Sequence, residues 1–265
     1  MNGGVSRAEV EQIVLTTNRA PSAENCQPWS FAWDGAELSI SHDPERARHT
    51  LNHNEDVSRL ALGALLASLD LAARAASLHT EARLSLRGPS RSIWATVRLS
   101  RSAASPDDLA ASLEARSTDR RLFRGGSLAA PVFAEIARDA SRFSTASLHL
   151  LDRFSPALVR FITGADASIW RDDHAYRDVT RWVRFSTKEL DETRDGVPFS
   201  SAGVHLPESQ IFRLSRSPWT RRLAEKFGLL TFARLWVERQ LASSAALALV
   251  TARDASREAM VDAGR

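Results

Sequence analysis

The stretch NRAPSAENCQPWSFAW, residues 18–33, places two amide side chains in a turn bounded by two prolines. Asn25 and Gln27 each offer a donor and an acceptor, which suits a flat heteroaromatic ligand whose edge alternates carbonyl and N–H groups. Pro21 and Pro28 stiffen the turn, so little entropy is lost when it serves as a rigid wall. The alternative is a polar turn in which Asn25 and Gln27 cap backbone groups. Taken alone, the stretch favours that alternative.

A second segment, RSTDRR at residues 116–121, carries Arg116, Thr118 and Arg120 at alternate positions. In an extended link, alternate side chains point to the same side. Two guanidinium groups and a hydroxyl on one side suit a phosphate, because arginine matches phosphate oxygens bidentately. The alternative is a capping segment in which Thr118 or Asp119 begins a helix and the arginines pair with nearby acids. Taken alone, this segment also favours the structural alternative.

The third unusual segment is RDGVP at residues 194–198. Elsewhere the sequence has no dinucleotide-binding glycine motif after a strand, no phosphate-binding Walker loop and no nucleophile elbow. His49 and His53 are four residues apart, but no acidic ligand pattern accompanies them, so we expect surface histidines and no metal site.

Hydrophobic periodicity predicts the elements that carry these segments. Ser6 is a candidate N-cap for a first helix. Asp34-Gly35, between two alternating apolar runs, predicts a hairpin. A helix is predicted from Val57 to Leu78, and we expect its small residues to pack against another helix; they are Gly63, Ala64, Ala67 and Ser68. Two strands follow, at 81–87 and 92–99.

The rest of the chain predicts helices near Pro106 and Pro131, a strand at TASLHLL and a broken helical region over 155–190. An apolar strand at 245–251 and a last helix from about Ala252 complete the pattern. Mixed helices and hairpins predict an α+β fold.

Composition is that of a globular protein: 265 residues, 43% apolar and 25% charged, with a net charge of +3. The arginines are scattered among acids, so we expect no nucleic-acid partner. Cys26 is the only cysteine, which excludes an intrachain disulfide and favours a reducing, cytoplasmic location. The N-terminus has no secretory h-region, and the longest apolar stretch, Leu60 to Ala76, contains Asp70 and Arg74. We therefore expect no membrane partner.

The three segments together resemble the nitroreductase-like FMN-dependent oxidoreductases. APSAENCQPWSFAW resembles the asparagine- and glutamine-containing APS box of that superfamily, RSTDRRLF its phosphate box, and the DG of TRDGVP its acidic-residue–glycine pair beside the flavin. Their order resembles a single-chain branch, which includes mycobacterial Acg-type proteins and the nitroreductase-like region of some ThiF-related fusions. In that branch two degenerate modules imitate the usual homodimer. The resemblance implies modules at 1–104 and 105–265, each with antiparallel-rich sheets flanked by helices.

The resemblance also implies roles for individual residues. Arg116, Thr118 and Arg120 would hold the FMN phosphate. The flavin ring would meet the APS box and the acidic-residue–glycine pair through Ser22, Asn25, Gln27, Asp195 and Gly196. No side chain need act as acid or base, because the flavin N5 carries the chemistry and NAD(P)H would be the reductant.

The sequence departs from the family pattern in three ways. No phosphate box precedes the APS box, which implies one flavin site per chain. The chain stops at EAMVDAGR, where the family usually continues with a strand and basic contacts to FMN, so the second module is expected to be incomplete. Arg-Asp-Gly replaces the more usual Glu-Gly.

The resulting expectation is an FMN-binding oxidoreductase that passes electrons from NAD(P)H to a small acceptor, as a pseudo-dimeric monomer or a homodimer. The alternative is a flavin-binding or sequestering protein, or a regulatory module of a larger enzyme, without efficient turnover.

Overall fold

The chain contains both helices and strands in a computed structural model that describes residues 4–86, 88, 92–103, 108–151, 154–202 and 206–265. The α-helices are α1 (Arg7–Thr17), α2 (Pro44–Ala47), α3 (Asp56–Ala75), α4 (Ser112–Ala115), α5 (Ala130–Ala140), α6 (Pro156–Arg171), α7 (Asp173–Thr180), α8 (Thr187–Thr193), α9 (Leu206–Ser215), α10 (Pro218–Lys226), α11 (Leu229–Ser243) and α12 (Arg257–Gly264). The strands are β1 (Trp29–Trp33), β2 (Glu37–His42), β3 (Leu78–Leu84), β4 (Ile93–Arg101), β5 (Ala146–Leu151), β6 (Val183–Arg184), β7 (Val197–Pro198) and β8 (Leu247–Ala252). The predicted α+β class is confirmed.

The chain divides into two compact units. The first comprises residues 1–48, 52–117 and 252–265, and the second comprises 49–51 and 118–251. The division differs from the expected modules, whose boundary at 104/105 falls outside the described residues. The C-terminal segment belongs to the first unit because α12 packs against α3. That the two units are nitroreductase modules stays a prediction.

A four-stranded antiparallel sheet in the order β1-β2-β4-β3 forms the centre of the first unit. The predicted hairpin is confirmed: Asp34 Oδ1 accepts hydrogen bonds from the backbone N–H groups of Ala36 and Glu37, both at 2.8 Å. Gly35, between Asp34 and Ala36, has φ +104°, a conformation that glycine adopts without steric cost. This turn fixes the register of β1 against β2.

Helices α1 and α3 supply the apolar layer that packs with this sheet. The predicted cap is confirmed, since Ser6 and Glu9 form a reciprocal capping box at the start of α1. The α3 helix runs from Asp56 to Ala75, so it ends before the predicted Leu78, which begins β3. The core includes residues that are almost wholly buried, among them Leu38, Ile40, Leu65, Leu69 and Val97.

The second unit is mainly helical, with a parallel pair β6–β7 and a two-stranded sheet β5–β8. Five aromatic rings pack together, with centroids at most 6.3 Å from that of a neighbouring ring. They belong to Trp170, Tyr176, Phe185, Phe199 and Phe212. The broken helical region predicted over 155–190 is α6, α7 and α8, separated at Asp172 and by β6. Asp172 caps α7 by accepting from the N–H groups of His174 and Ala175. Among the described residues, no helix is long and apolar enough to cross a bilayer.

Candidate functional site

The turn from Ser22 to Gln27 has an unusual backbone. Glu24, Asn25 and Gln27 have φ of +46°, +55° and +49°. Asparagine tolerates this left-handed region better than most residues, whereas glutamate and glutamine have no such preference. Three left-handed residues within four positions therefore require support from their surroundings.

Hydrogen bonds to the backbone provide part of that support. Ser22 Oγ accepts from Gln27 N–H at 2.9 Å, which closes the turn across five residues. From outside the turn, Arg46 Nε donates to the carbonyls of Cys26 and Gln27 at 2.7 and 3.1 Å. Side chains of the protein itself thus hold both ends of the turn.

The amide side chains join a polar network that leads to the first strand. Trp29 Nε1 donates to Asn18 Oδ1 at 2.7 Å, and Asn18 Nδ2 donates to Gln27 Oε1 at 3.2 Å. Gln27 Nε2 in turn donates to Asn25 Oδ1 at 3.4 Å. The network positions both amides, but it also uses hydrogen-bonding groups that a ligand would need, so binding would require a partial exchange of partners.

Cys26 belongs to the same turn. The residue is only 6% exposed, and burial raises the pKa of the thiol to about 11. A thiol in this state is mostly protonated at neutral pH and is a poor nucleophile or metal ligand. Cys26 is therefore a packing residue of the turn.

Arg116 lies beside this turn within the first unit. Its Nη2 donates to the backbone carbonyl of Arg19 at 2.7 Å, shortly before Ser22 in the chain. Residue Arg116 is exposed and directly follows α4, which ends at Ala115. The expected non-helical link is confirmed, since no helix or strand is formed between α4 and α5.

The following residues of the predicted phosphate segment belong to the second unit. Thr118 is exposed, and the backbone N–H of Arg120 donates to the carbonyl of Ser201 at 3.2 Å. Gln240 Nε2 donates to the carbonyl of Arg120. Both bonds hold the main chain, so the backbone around Arg120 is fixed independently of its guanidinium.

Asp119 and Arg121 pair with each other within the segment. Arg121 Nη2 lies 2.7 Å from Asp119 Oδ2, and this contact lowers the pKa of the Asp119 carboxyl to about 2. Arg121 therefore offsets the negative charge of Asp119, which would otherwise repel an anion near Thr118 and Arg120. The alternative interpretation of this segment expected its arginines to pair with nearby acids. Arg121 does so by pairing with Asp119.

Asp195 and Gly196 have structural roles that account for both residue types. Asp195 is 7% exposed, and its Oδ1 accepts from Arg184 Nη2 at 2.5 Å. Gly196 has φ +81°, and a Cβ added there would overlap the carbonyl oxygen of Trp182. The pair thus holds β7 against β6, and this packing explains the DG sequence without a ligand.

The predicted site residues therefore fall into two groups in the structure. The first unit brings Ser22, Asn25 and Gln27 together, with Arg116 anchored near the start of their segment. The second unit contains Thr118, Arg120, Asp195 and Gly196. There Arg120 is bonded to Ser201, which lies in the short helical turn Phe199–Ala202 directly after β7.

Sequence reasoning missed the residues that support these segments. Arg46 is distant from the turn in sequence, and no sequence pattern indicates its role. Asn18, in contrast, lies within the segment 18–33. Ser201 and Gln240 likewise act on Arg120 through contacts that only the fold creates. No cluster of three or more potential metal-ligand side chains occurs among the residues the structure describes.

Neither a protein-family model nor a curated protein sequence matches the chain. Among solved structures, it is similar to a nitroreductase family protein from Clostridium difficile 630. The alignment covers 44% of this chain and 85% of that one, with 11% identity and a TM-score of 0.33. The similarity is therefore confined to less than half of this chain.

Proposed function

We propose that this chain is an FMN-binding oxidoreductase of nitroreductase type, using NAD(P)H to reduce a small acceptor. The observation that carries the proposal is the pair of anchors on the arginine segment. Within the first unit Arg116 donates to Arg19, just before the asparagine turn, and within the second unit Arg120 N–H donates to Ser201, just after the DG pair. In each unit, one residue of the arginine segment is therefore hydrogen-bonded to a stretch that is distant in sequence.

The residues present fit the cofactor in part. Arg116 and Thr118 are exposed beside a fixed backbone, which suits a phosphate that arrives from solvent. Asn25 and Gln27 have the donors and acceptors that a flavin ring edge needs, in a turn that is already ordered. Asp195 and Gly196 fit less well, because their packing against Arg184 and Trp182 already accounts for them.

Bound FMN would supply the hydride-transfer chemistry, and this chain would bind and orient it. Arg116, Thr118 and Arg120 would hold the phosphate, whereas Ser22, Asn25 and Gln27 would face the ring. No proton transfer is assigned to a side chain. The Cys26 thiol takes no part, because burial raises its pKa to about 11.

The closed packing of the DG pair favours a second candidate, flavin binding without efficient turnover, as in a sequestering protein or a regulatory module. A single preparation separates the two functions. The protein is loaded with FMN, and binding is measured by quenching of flavin fluorescence. NADH or NADPH is then added anaerobically, and bleaching of the flavin absorbance reports reduction. Binding with reduction supports the oxidoreductase, and binding without reduction supports the second candidate.

Two variants test the site itself. Arg116→Ala should weaken FMN binding by about 1.5–3 kcal/mol, the range for a hydrogen bond to a charged group, which is more than tenfold in Kd. Asn25→Gly removes the amide and still permits φ +55°, so it should weaken binding while the turn is kept. Arg124→Ala is the matched control, because Arg124 is an exposed arginine of the same link outside the predicted box. Equal FMN affinity in all three variants and the wild type would refute the proposed site.

A further inference from the structure

Helix α10 in the second unit exposes large apolar side chains. Trp219 is 72% exposed, Leu223 is 43% exposed and Phe227, directly after the helix, is 84% exposed. Trp219 and Leu223 are four apart within the helix, so they are neighbours on one side of it, and Phe227 follows four residues later at its end. Single exposed apolar residues are common, but an exposed row containing two aromatic rings indicates a surface that is covered in function.

Two cations lie beside this apolar row. Arg222 and Lys226 are exposed and are also four apart, one position before Leu223 and Phe227. We call Trp219, Arg222, Leu223, Lys226 and Phe227 the α10 face. At about 100° per residue, the four positions within α10 lie on one side of the helix, and Phe227 directly follows them.

The acid of α10 is directed away from the α10 face. Glu225 pairs with Arg221 at 3.4 Å between Oε1 and Nε, and Arg221 is 5% exposed and also bonds Asp173. The negative charge of this helix is therefore held against the body of the second unit. Among the α10 side chains that the structure describes, the exposed ones are apolar or positive.

A further exposed leucine lies near the end of the preceding helix. Leu214 is 64% exposed near the end of α9. Thr220 Oγ1 donates to the Leu214 carbonyl, which ties the start of α10 to the end of α9. This bond brings the main chain of the exposed leucine next to the start of α10, shortly after Trp219.

We propose that the α10 face, with Leu214, binds the surface of an anionic lipid bilayer. Tryptophan and phenylalanine insert at the boundary between headgroups and acyl chains, while arginine and lysine at the rim contact negatively charged headgroups. The charge of the face selects this occupant, because the face presents Arg222 and Lys226 with its acid turned inward. The contact is peripheral, so it agrees with the finding that no described helix can cross a bilayer.

This proposal differs from the expectation of no membrane partner, which rested on the lack of a spanning segment. A short apolar row beside two cations gives no signal in a hydropathy profile. The proposal is also independent of the proposed flavin site, because it uses none of its residues.

Vesicle flotation tests the proposal with the full chain. Vesicles of phosphatidylcholine alone are compared with vesicles containing phosphatidylserine. We expect the protein to float with the anionic vesicles and not with the neutral ones, and added salt should release it. Arg222→Gln and Lys226→Gln should each reduce partitioning about fivefold, and together about thirtyfold.

The apolar arm uses Trp219→Gln with Phe227→Gln, and Phe161→Gln is the matched control because Phe161 is 73% exposed on α6. Binding should fall for the double variant and stay unchanged for the control. Circular dichroism checks that the variants fold. Absence of flotation, or equal flotation of all variants, overturns the proposal. Self-association without lipid that the double variant abolishes would also overturn it, by assigning the face to a second copy of the chain.

Discussion

Backbone strain at single residues occurs in two of the three segments that the sequence singled out, although it is not confined to them. Left-handed backbone costs about 1–3 kcal/mol at a non-glycine residue, and Glu24, Asn25 and Gln27 all adopt it. Arg194 does so immediately before the DG pair, with φ +53°. Clustered strain of this kind persists only where surrounding contacts impose it, and the clamp by Arg46 and Ser22 does so in the first turn. The strain supports a functional hypothesis for that turn.

Gly196→Ala should destabilise the second unit strongly. The left-handed backbone costs an alanine about 1–2 kcal/mol, and the new Cβ would also overlap the rigid backbone carbonyl of Trp182. Gly125→Ala is the matched control, because Gly125 has φ +72° and open space around its Cβ position. Chemical denaturation should show a clearly larger loss for Gly196→Ala. Equal losses would mean that the contact with Trp182 contributes nothing.

The thiol of Cys26 gives a pH-dependent prediction. Its ordinary pKa of 9.0 is raised to about 11 in the folded chain because the thiolate is desolvated. The folded state therefore favours the protonated thiol, and the associated stability is complete below pH 9 and is lost as pH rises towards 11. At pH 8 the native protein should react slowly with a thiol reagent and rapidly in denaturant. Equally fast labelling in both states would contradict the burial of Cys26.

For the helices and strands, features encoded by neighbouring residues could be predicted, whereas the partners in contacts between distant segments could not. The capping box at Ser6 and the Asp34-Gly35 hairpin are encoded within a few residues, and both are confirmed. The small face of α3 was predicted to meet a helix, and Gly63 does face α12. The identity of that helix could not be predicted, because no local pattern links residues 56–75 to residues 257–264.

Gly63→Ala tests the close approach of α3 to α12. A Cβ at Gly63 would overlap the carbonyl oxygen of Val261, so α12 must shift or detach, at a cost of about 1–3 kcal/mol. Gly164→Ala in α6 is the control, since its Cβ would meet nothing within 4 Å. That control should gain about 0.5–1 kcal/mol from helix propensity. Thermal denaturation should separate the two variants in opposite directions, and a stabilised Gly63→Ala would refute the close packing.

For the whole molecule, the first compact unit is not one continuous stretch of the chain. The sequence predicted two consecutive modules, but residues 252–265 return to the first unit after the second is complete. The residue types of the candidate site could be recognised because each segment is short and chemically distinctive. Their supports could not, since Arg46, Ser201 and Gln240 act through tertiary contacts.

Hydrogen exchange should reveal this division directly. Amides of α12 should share the protection of α3, against which α12 packs, although α12 follows β8 of the second unit in sequence. In Gly63→Ala, exchange should accelerate in α12 and α3, because the added Cβ displaces α12, and should stay unchanged in α10 and α11. Gly164→Ala should leave the protection of α12 as it is in the wild type. If α12 exchanged together with α11 in the wild type and ignored the substitution at Gly63, the C-terminal segment would belong to the second unit, and the division described by the structure would be wrong.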